Sequence, residues 1–467
     1  MPGTASSTLA PPVPLVGDDL EVECVDGTRR RAIGLDAAAS TAALPAVATS
    51  VGDFLPWYSS VHRGAGQKSQ VATAAYEAAR EAALGFAGRA GVGDDVAILC
   101  RNTTEAINLL SHRLRLEPGE TVVTTVAEHH ANLLPWARAC RRQYVDVAAD
   151  GTFGVDDVRA AFDELPGRPR LLAVTAASNV TGWMPPLDEL IALAHDRGVP
   201  VLVDGAQLAA HRALPAGADF VAWSGHKMYA PYGAGVLVGP SSAFREGDPM
   251  LAGGGAVDLV TLDEVIWTAP PESEEAGSPN LLGAVALAAA INELGRIGWG
   301  PISAHDHDLA SRLRDGLAAI AGVRLLGPAT GSDTLPLATF SVAGVPHALV
   351  AARLAAEWGI AVRHGCFCAH PYLERLLGLG AAEVEVLRRA VRAGDRRAIP
   401  GAVRASAGIN TRAEDVDALL GAVEVIASGA DPPVDYVQDP STGDFSPLER
   451  PAGWPELPSA GSACSRS

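Results

Sequence analysis

The sequence predicts an α/β protein with a large, mainly parallel sheet, followed by a smaller α+β domain. Up to about residue 298, short apolar runs of strand length alternate with Ala-rich stretches of helix length. Strands that helices cover on both faces show such continuous apolar runs. Polar residues able to do chemistry follow the ends of several runs, and open α/β sheets bind ligands at the carboxyl ends of their strands.

The predicted elements follow this alternation along the chain. Strands of the large sheet are expected at residues 96–100, 121–126, 171–175, 199–203, 220–223 and 234–238, with helices at 72–86, 104–114, 187–196 and 282–294. A second pattern follows, with helices at 306–320, 347–358 and 413–428 and strands near 323–326, 337–342 and 360–363. The expected division is an N-terminal arm (1–30), a large α/β domain (31–298), a small α+β domain (299–430) and an irregular tail (431–467).

Bulk composition limits the possible functions. The chain has 467 residues, 48% of them hydrophobic and 19% charged, which suits an enzyme with a large core. A net charge of −18 argues against nucleic-acid binding through a basic surface. Six cysteines in so long a chain favour reduced thiols over a disulfide framework. The N-terminal residues lack the basic and apolar regions of a signal peptide, so a cytoplasmic location is expected.

The most informative residues are Lys227 and Asp204. Lys227 lies at a strand-to-loop junction in Ser224-Gly225-His226-Lys227, where a lysine is placed for Schiff-base chemistry. Asp204 ends an apolar strand and is placed to hold a protonated pyridine nitrogen. Pyridoxal phosphate needs both groups. A surface lysine and a strand-end aspartate would explain either residue alone, but not the motifs that accompany them.

Several hydroxyl and imidazole groups could hold the phosphate of such a cofactor. Thr103 and Thr104 follow a strand and open a helix, where hydroxyls and backbone N–H groups form an anion site. The same threonines also suit ordinary N-caps. Ser224 and His226 flank the lysine and can donate to a phosphate, and Ser278 is a further candidate hydroxyl before a long apolar helix.

Two further loops offer groups for an aromatic cofactor. His129, in Glu128-His129-His130-Ala131-Asn132, can stack on a ring and shuttle protons, although a solvated loop histidine is an equal alternative. Asn179 can bond a ring hydroxyl, although an asparagine near a glycine is also a common turn residue.

The run Arg363-His364-Gly365-Cys366-Phe367-Cys368-Ala369-His370 combines two thiols with nearby cations. Cations lower the pKa of a thiol and raise its thiolate fraction. On an extended segment the two thiols would point the same way. Packed, inert thiols and a Cys-x-Cys-x-His zinc site are the alternatives; without a second Cys/His pair at finger or ribbon spacing, no metal is expected. Further along, Arg404 could grip a carboxylate bidentately or be an ordinary surface arginine.

These runs, in this order, resemble the class V aminotransferase family, and within it the cysteine desulfurase and selenocysteine lyase branch. The resemblance extends roughly from Leu35 to Ala427. Its most specific marks are Glu128-His129-His130-Ala131-Asn132, Asp204-Gly205-Ala206-Gln207 and Ser224-Gly225-His226-Lys227.

The resemblance implies a pyridoxal-phosphate type I fold, the cofactor pyridoxal 5′-phosphate and a homodimer with shared active sites. For the cofactor ring, it implies Lys227 as the Schiff-base lysine, Asp204 at the pyridine nitrogen, His129 stacked on the ring, and Asn179 and Gln207 at the ring hydroxyl. For the phosphate, it implies Thr104, Ser224 and His226 with Thr103 nearby, and Ser278 at the phosphate of the neighbouring subunit. For the substrate, it implies Arg404 with Arg363 and Asn179, and Cys368 as the persulfide-forming cysteine.

The implied activity is removal of sulfur from L-cysteine to give alanine and an enzyme persulfide, with a possible sulfur-acceptor protein as partner. A related C–S lyase, selenocysteine lyase, aminotransferase or epimerase is the alternative, and a non-catalytic sulfur scaffold is a third. The sequence departs from the family pattern at Cys366-Phe367-Cys368, where such desulfurases usually carry His-His-Cys; the Cys-Phe-Cys form is similar to the molybdenum cofactor sulfurases. Ser273 and Glu274 also replace a common Arg-Phe pair. The run around Cys464 near the C-terminus resembles the mobile cysteine loop of the other desulfurase class, and this likeness is interpreted as coincidence.

Overall fold

The computed structural model describes residues 11–91 and 93–449, so the Cys464 run lies outside the described residues. Its helices, in chain order, are α1 (Pro45–Phe54), α2 (Gln67–Phe86), α3 (Thr103–Arg113), α4 (Leu134–Ala139), α5 (Val155–Asp163), α6 (Leu187–Asp196), α7 (Leu281–Ile297), α8 (Trp299–Ala319), α9 (His347–Trp358), α10 (His370–Leu377), α11 (Ala381–Arg392) and α12 (Ala413–Ala427). Its strands are β1 (Glu21–Glu23), β2 (Arg29–Arg31), β3 (Ile33–Gly34), β4 (Asp95–Cys100), β5 (Thr121–Thr125), β6 (Arg141–Val145), β7 (Leu171–Thr175), β8 (Val201–Asp204), β9 (Phe220–Ser224), β10 (Gly235–Pro240), β11 (Val257–Val260), β12 (Val265–Trp267), β13 (Val323–Leu326), β14 (Leu337–Val342), β15 (Ile360–Ala361), β16 (Arg363–Gly365), β17 (Ala402–Ser406), β18 (Tyr436–Gln438) and β19 (Phe445–Pro447).

A seven-stranded sheet in the order β4-β10-β9-β8-β7-β5-β6 forms the centre of the large unit. The pairs β6–β5, β5–β7, β7–β8 and β8–β9 are parallel, as the apolar runs predict. Strand β10 differs, because it pairs antiparallel with both β9 and β4. The connection from β9 to β10 holds only a short 3-10 turn and loop. It is too short for the crossover helix that a parallel pair needs.

Helices cover both faces of this sheet, and strand β7 shows how. Leu171 and Ala173 pack into the cluster that includes α3 residues, whereas Leu172 and Val174 pack into the cluster that includes α5, α6 and α7 residues. Alternate side chains of a strand point to opposite faces. Neither face of the strand is exposed to solvent, which explains why its sequence is continuously apolar.

A second sheet, antiparallel and in the order β13-β14-β17-β16, packs with α8, α9 and α12 around its own core. Strand β17 was not predicted as a strand, yet it lies at the centre of this sheet. Its Arg404 is opposite Thr339 of β14 on one side and Arg363 of β16 on the other. This register fixes the position of an arginine that the sequence singled out.

The ends of the chain are more regular than expected. Within the tail predicted to be irregular, β18 and β19 form a hairpin, and the Tyr436 hydroxyl bonds Glu357 of α9 at 3.1 Å. Strands β1 and β2 form a second hairpin inside the predicted N-terminal arm. Both hairpins use three-residue strands, which are too short for an alternation of apolar and polar residues to be visible.

Among the described helices, none alone has the length and apolar character needed to cross a bilayer. Helices α7 and α8 meet that test only as a pair, and the pair bends by 83°.

Candidate active site

One cavity lies where the ends of the central strands meet the smaller sheet. Its lining includes all but one of the site residues predicted from the sequence: Thr103, Thr104, His129, Asn179, Asp204, Gln207, Ser224, His226, Lys227, Arg363, Cys368 and Arg404. These residues come from seven separate stretches of chain. The fold therefore gathers the predicted groups into a single site.

Lys227 and Asp204 form the charged centre of this cavity. Burial lowers the pKa of Lys227 to about 8, and the opposing effect of Asp204 is smaller. Burial raises the pKa of Asp204, while Lys227 and the Ala206 N–H lower it. Asp204 Oδ1 accepts that N–H at 3.0 Å, and no other hydrogen bond reaches its carboxylate among the described residues. A buried acid with a free oxygen is available to a ligand that carries a proton.

At one end of the cavity, the start of α3 meets the end of β9. The N-cap of α3 is Asn102, whose side chain accepts the Glu105 N–H at 3.0 Å. Thr103 and Thr104 are therefore not the caps. The Ser224 Oγ accepts the Thr103 N–H at 2.8 Å and lies 2.6 Å from the Thr103 hydroxyl. Hydroxyls and a helix N-terminus converge here as an anion cradle.

Gly235 of β10 allows this strand to lie close to the backbone at the start of α3. A Cβ at Gly235 of β10 would lie within 2.6 Å of the Asn102 backbone. No side chain fits there, so β10 can support the start of α3 only with glycine at this position.

His129 presents a neutral ring to the cavity. Burial, followed by the charge of Lys227, lowers the pKa of His129 to about 3. Its Nδ1 accepts the Ala131 N–H at 3.1 Å, so the proton of the neutral ring is on Nε2. Across the cavity, Gln207 Nε2 donates to the Ala38 carbonyl at 2.8 Å. A fixed, uncharged imidazole suits stacking better than proton exchange near pH 7.

Glu128, one residue before, is fully buried and was not predicted as a site residue. Its carboxylate accepts from the Thr125 hydroxyl (2.7 Å), the Thr175 N–H (3.0 Å) and Asn132 Nδ2 (2.8 Å). Thr175 ends β7, opposite Asp204 in β8. Burial raises the pKa of Glu128 to about 8, although all three donors act against this shift. Glu128 thus connects the His129 loop to the strand that borders the active-site acid.

Above pH 8, where Glu128 is ionised, its replacement with glutamine is expected to destabilise the protein by about 1–3 kcal/mol, the usual cost of an unmatched buried polar group. The three groups around the carboxylate all donate, so an amide NH2 must face one of them. Asn132 cannot turn its amide to help, because its Oδ1 accepts from the Trp136 indole at 3.1 Å. Thermal unfolding measures the effect. Glu385→Gln, at an exposed ion pair with Arg388, is the control and should change stability little. Equal melting temperatures for both variants would contradict this role.

Arg404 is buried and only partly satisfied. Its Nη1 donates to the Asn179 carbonyl at 2.9 Å, and its Nη2 donates to Asp36 Oδ1 at 3.0 Å. Its Nε is buried and has no hydrogen-bond partner among the described residues. Arg363, more exposed, lies 3.7 Å from Asp36. A buried cation with a free donor is suited to a ligand carboxylate.

The two cysteines lie on a tight turn, not on an extended segment. The Ala369 N–H bonds the Cys366 carbonyl at 2.9 Å, and both central residues have positive φ, 54° at Phe367 and 53° at Cys368. This geometry is that of a type I′ turn. The Cys368 carbonyl accepts the His130 N–H at 2.8 Å, which ties the turn to the His129 loop.

The turn directs the two thiols to different places, so the expectation that they point the same way is wrong. Cys368 is exposed and lines the cavity with Lys227. Cys366 lines a separate apolar groove between α10 and α11. Burial raises the pKa of Cys366, against the expectation that nearby cations would lower it. Of these two thiols, Cys368 is the one placed to react with a molecule in the active-site cavity.

Ser278 is the predicted site residue that does not line this cavity. It is exposed and borders a different pocket, together with Glu275 and Asn280. The resemblance assigns Ser278 to the site of a neighbouring subunit, and that assignment stays a prediction.

The chain is similar to known proteins over most of its length. Residues 33–419 match the family model described as Aminotransferase class-V. A probable cysteine desulfurase from Pseudomonas aeruginosa is 38% identical over 398 residues, which cover 84% of this chain and 92% of that protein. A cysteine desulfurase from Klebsiella pneumoniae is 35% identical over 405 residues, with the same coverage.

Solved structures are similar over most of the chain. The apo structure of a cysteine desulfurase from Thermococcus onnurineus aligns with a TM-score of 0.75 at 32% identity, covering 85% of this chain and 95% of that one. The cysteine desulfurase CsdA from Escherichia coli aligns with a TM-score of 0.71 at 33% identity, covering 84% and 94%. These likenesses confirm the predicted fold. The chain therefore belongs to the aminotransferase class-V family and is an enzyme of the cysteine desulfurase-like type.

Proposed function

We propose that this chain uses pyridoxal 5′-phosphate to convert L-cysteine to alanine and holds the released sulfur as a persulfide on Cys368. One observation supports the proposal above all others. The cavity that contains Lys227 and Asp204 also contains the buried cation Arg404 and the exposed thiol of Cys368. An amine, an acid, a carboxylate site and a nucleophile are the groups that this reaction requires.

The residues of the cavity fit the cofactor chemically. Lys227 offers an amine for its aldehyde, and the free oxygen of Asp204 suits a protonated pyridine nitrogen. Thr103, Thr104 and Ser224 form the cradle for its phosphate. The neutral ring of His129 suits stacking on the pyridine. When bound, pyridoxal phosphate supplies the electron sink that makes the substrate Cα proton acidic.

The substrate is held and deprotonated by groups of this chain. Arg404 would bind the amino-acid carboxylate through the terminal N–H groups that its bonds to Asn179 and Asp36 leave free, with Arg363 as a second cation at the entrance. Lys227 would take the Cα proton and later return a proton to the carbon fragment. Because burial lowers the pKa of Lys227 to about 8, much more of its amine is neutral near pH 7 to 8 than for an ordinary lysine.

Cys368 completes the reaction. Its thiolate would attack the substrate sulfur, so that a sulfur–sulfur bond forms as the Cβ–S bond breaks. The electron pair of the broken bond stays with the carbon fragment, which takes up a proton and leaves as alanine. The sulfane sulfur remains on Cys368 until a thiol acceptor removes it. Atoms and electrons balance without an added oxidant or reductant.

Incubation of the purified holoenzyme with L-cysteine tests the proposal directly. Mass spectrometry should detect alanine, together with a persulfide on the peptide that contains Cys368. Formation of pyruvate and ammonia, or of a keto acid from a co-substrate, would instead indicate a lyase or an aminotransferase. Selenocysteine in a parallel incubation distinguishes the selenocysteine lyase alternative.

We also propose that the enzyme is a homodimer in which Ser278 serves the phosphate of the partner subunit. Large apolar side chains are exposed together on the β11–β12 hairpin, with Leu259, Leu262 and Ile266 among them. Such a patch indicates a contact surface, and symmetric dimers are the commonest soluble oligomers.

Light scattering at micromolar concentration should give about twice the mass of one chain. Ile266→Asp should shift the enzyme toward monomer and lower its activity, because a charge would be buried in the contact. Leu20→Asp, at an exposed leucine elsewhere, is the control. A fully active monomer would contradict both the dimer and the role of Ser278.

A further inference from the structure

The residue between the two cysteines, Phe367, lies against the guanidinium of Arg404. The Cζ atom of Arg404 is 5.1 Å from the centroid of the Phe367 ring. Both side chains are buried, with 7% of Phe367 and 3% of Arg404 exposed. An aromatic face attracts a cation, and the attraction is larger where water is excluded.

The backbone of Phe367 closes a ring of contacts with the same arginine. The Phe367 carbonyl accepts from Asn179 Nδ2 at 2.7 Å, and the Asn179 carbonyl accepts from Arg404 Nη1 at 2.9 Å. Asp36 holds Nη2 at 3.0 Å. The guanidinium is thus fixed on one face by the aromatic ring and at both terminal nitrogens by hydrogen bonds. Its buried Nε has no hydrogen-bond partner in the part of the chain that the structure describes.

Phe367 keeps this position at a conformational cost. Its φ of 54° is in the left-handed region, which non-glycine residues rarely occupy. Strained backbone of this kind persists where the surrounding structure fixes it, often at a functional site. Glycine adopts a positive φ without this strain. The presence of a large aromatic residue here therefore indicates that its side chain has a function.

We propose that Phe367 is a positioning residue that orients Arg404 for the substrate carboxylate. The ring holds the plane of the guanidinium, so that the terminal N–H groups left free by Asn179 and Asp36 keep a fixed orientation toward the substrate, and it keeps water from that face of the cation. This inference rests on the proposed function, because it takes Arg404 as the carboxylate site. It goes beyond that function by assigning substrate affinity to the residue between the two cysteines.

Kinetics of the holoenzyme with L-cysteine test the proposal. Phe367→Leu removes the aromatic face and keeps an apolar side chain, and it should raise KM about five-fold with little change in kcat. Phe367→Tyr restores an aromatic face and should return KM to within about two-fold of wild type. Leucine, tyrosine and phenylalanine all carry a Cβ, so the positive φ costs them similar strain. Phe244→Leu, which disrupts the Phe220–Phe244 pair in the core, controls for general loss of aromatic packing and should leave KM unchanged.

A histidine variant gives a readout that a merely structural role would not produce. In Phe367→His, an imidazole would face Arg404, and burial beside that cation would hold its pKa below the usual value of about 6.5, so it would gain a like charge only in acid. The KM of this variant should rise as the pH falls below about 6, by more than any change in wild type. An unchanged KM in Phe367→Leu, or a KM profile of Phe367→His that follows wild type, would overturn the proposal.

Calorimetric titration of the holoenzyme with L-alanine separates this proposal from the proposed function, because it needs no turnover. Weaker L-alanine binding in Phe367→Leu than in wild type supports the positioning role, even if wild type produces no alanine from L-cysteine and the proposed function fails. Normal desulfuration with equal L-alanine affinity in both proteins overturns the positioning role alone. A wild-type enzyme that neither turns over L-cysteine nor binds L-alanine overturns both.

Discussion

Replacing Lys227 with alanine is expected to abolish alanine production from L-cysteine, with a loss of roughly 10³-fold or more. Lys227 is the amine that lines the cavity, and burial has already lowered its pKa to about 8. The variant has no group to bond the cofactor aldehyde and no base at the substrate Cα. Its cofactor should be lost on dialysis, whereas wild type should retain it.

The composition of the chain offers a clean control for this experiment. The sequence contains two lysines, Lys68 and Lys227. Lys68 lies in the first turn of α2 and is exposed. Borohydride reduction should fix the cofactor mass on the peptide with Lys227, and Lys68→Ala should leave both label and turnover unchanged. A label on Lys68 would refute the assignment.

The same pKa sets an expected pH dependence. The neutral form of Lys227 is the one that accepts a proton, and its fraction rises as the pH approaches and passes about 8. For wild type, kcat should therefore increase from pH 6 to about 8 and then level off, whereas an ordinary lysine would continue to gain neutral amine up to pH 10 and beyond. A kcat that falls over pH 6 to 8 would show that another group controls this step.

Much of this site was predictable because several of its polar residues directly follow the end of an apolar run. Asp204 ends β8, Ser224 ends β9 and His129 follows β5, so strand ends alone place them at one edge of the sheet. The fold class followed from the same runs. The antiparallel β10 did not, because its apolar sequence is the same whichever way the strand runs.

Other parts of the site depend on contacts that sequence spacing does not reveal. Arg404 was named, but its partners Asp36 and Asn179 are 368 and 225 residues away in the chain. Glu128 stood in a recognised motif, yet only the structure shows that three donors surround it. The predicted direction of the Cys366 side chain was wrong because two non-glycine residues of the turn have positive φ. No local sequence pattern predicts that backbone conformation.

The second large effect is expected at Cys368. Cys368→Ala should lower alanine production by roughly 10³-fold or more, as expected for loss of a catalytic nucleophile. No persulfide should form on its peptide, while the absorbance of the bound cofactor stays as in wild type. Alanine keeps the Cβ, so the φ of 53° is no more strained and the turn should hold. The loss would therefore report the missing thiol and not a displaced loop.

Cys366→Ala is the matched control, because it removes a thiol from the same turn. Cys366 faces the apolar groove between α10 and α11, away from the cavity that holds Lys227 and Cys368. This variant should keep persulfide formation and produce alanine at a rate within about two-fold of wild type, and at most slow the onward transfer of sulfur to an acceptor thiol. Wild-type turnover in Cys368→Ala would refute the desulfurase mechanism and favour a lyase or aminotransferase that needs no thiol. Loss of persulfide in Cys366→Ala, with Cys368 intact, would instead place the nucleophile in the groove, and the turn would have to reverse its direction for the thiol to reach a substrate bound at Arg404.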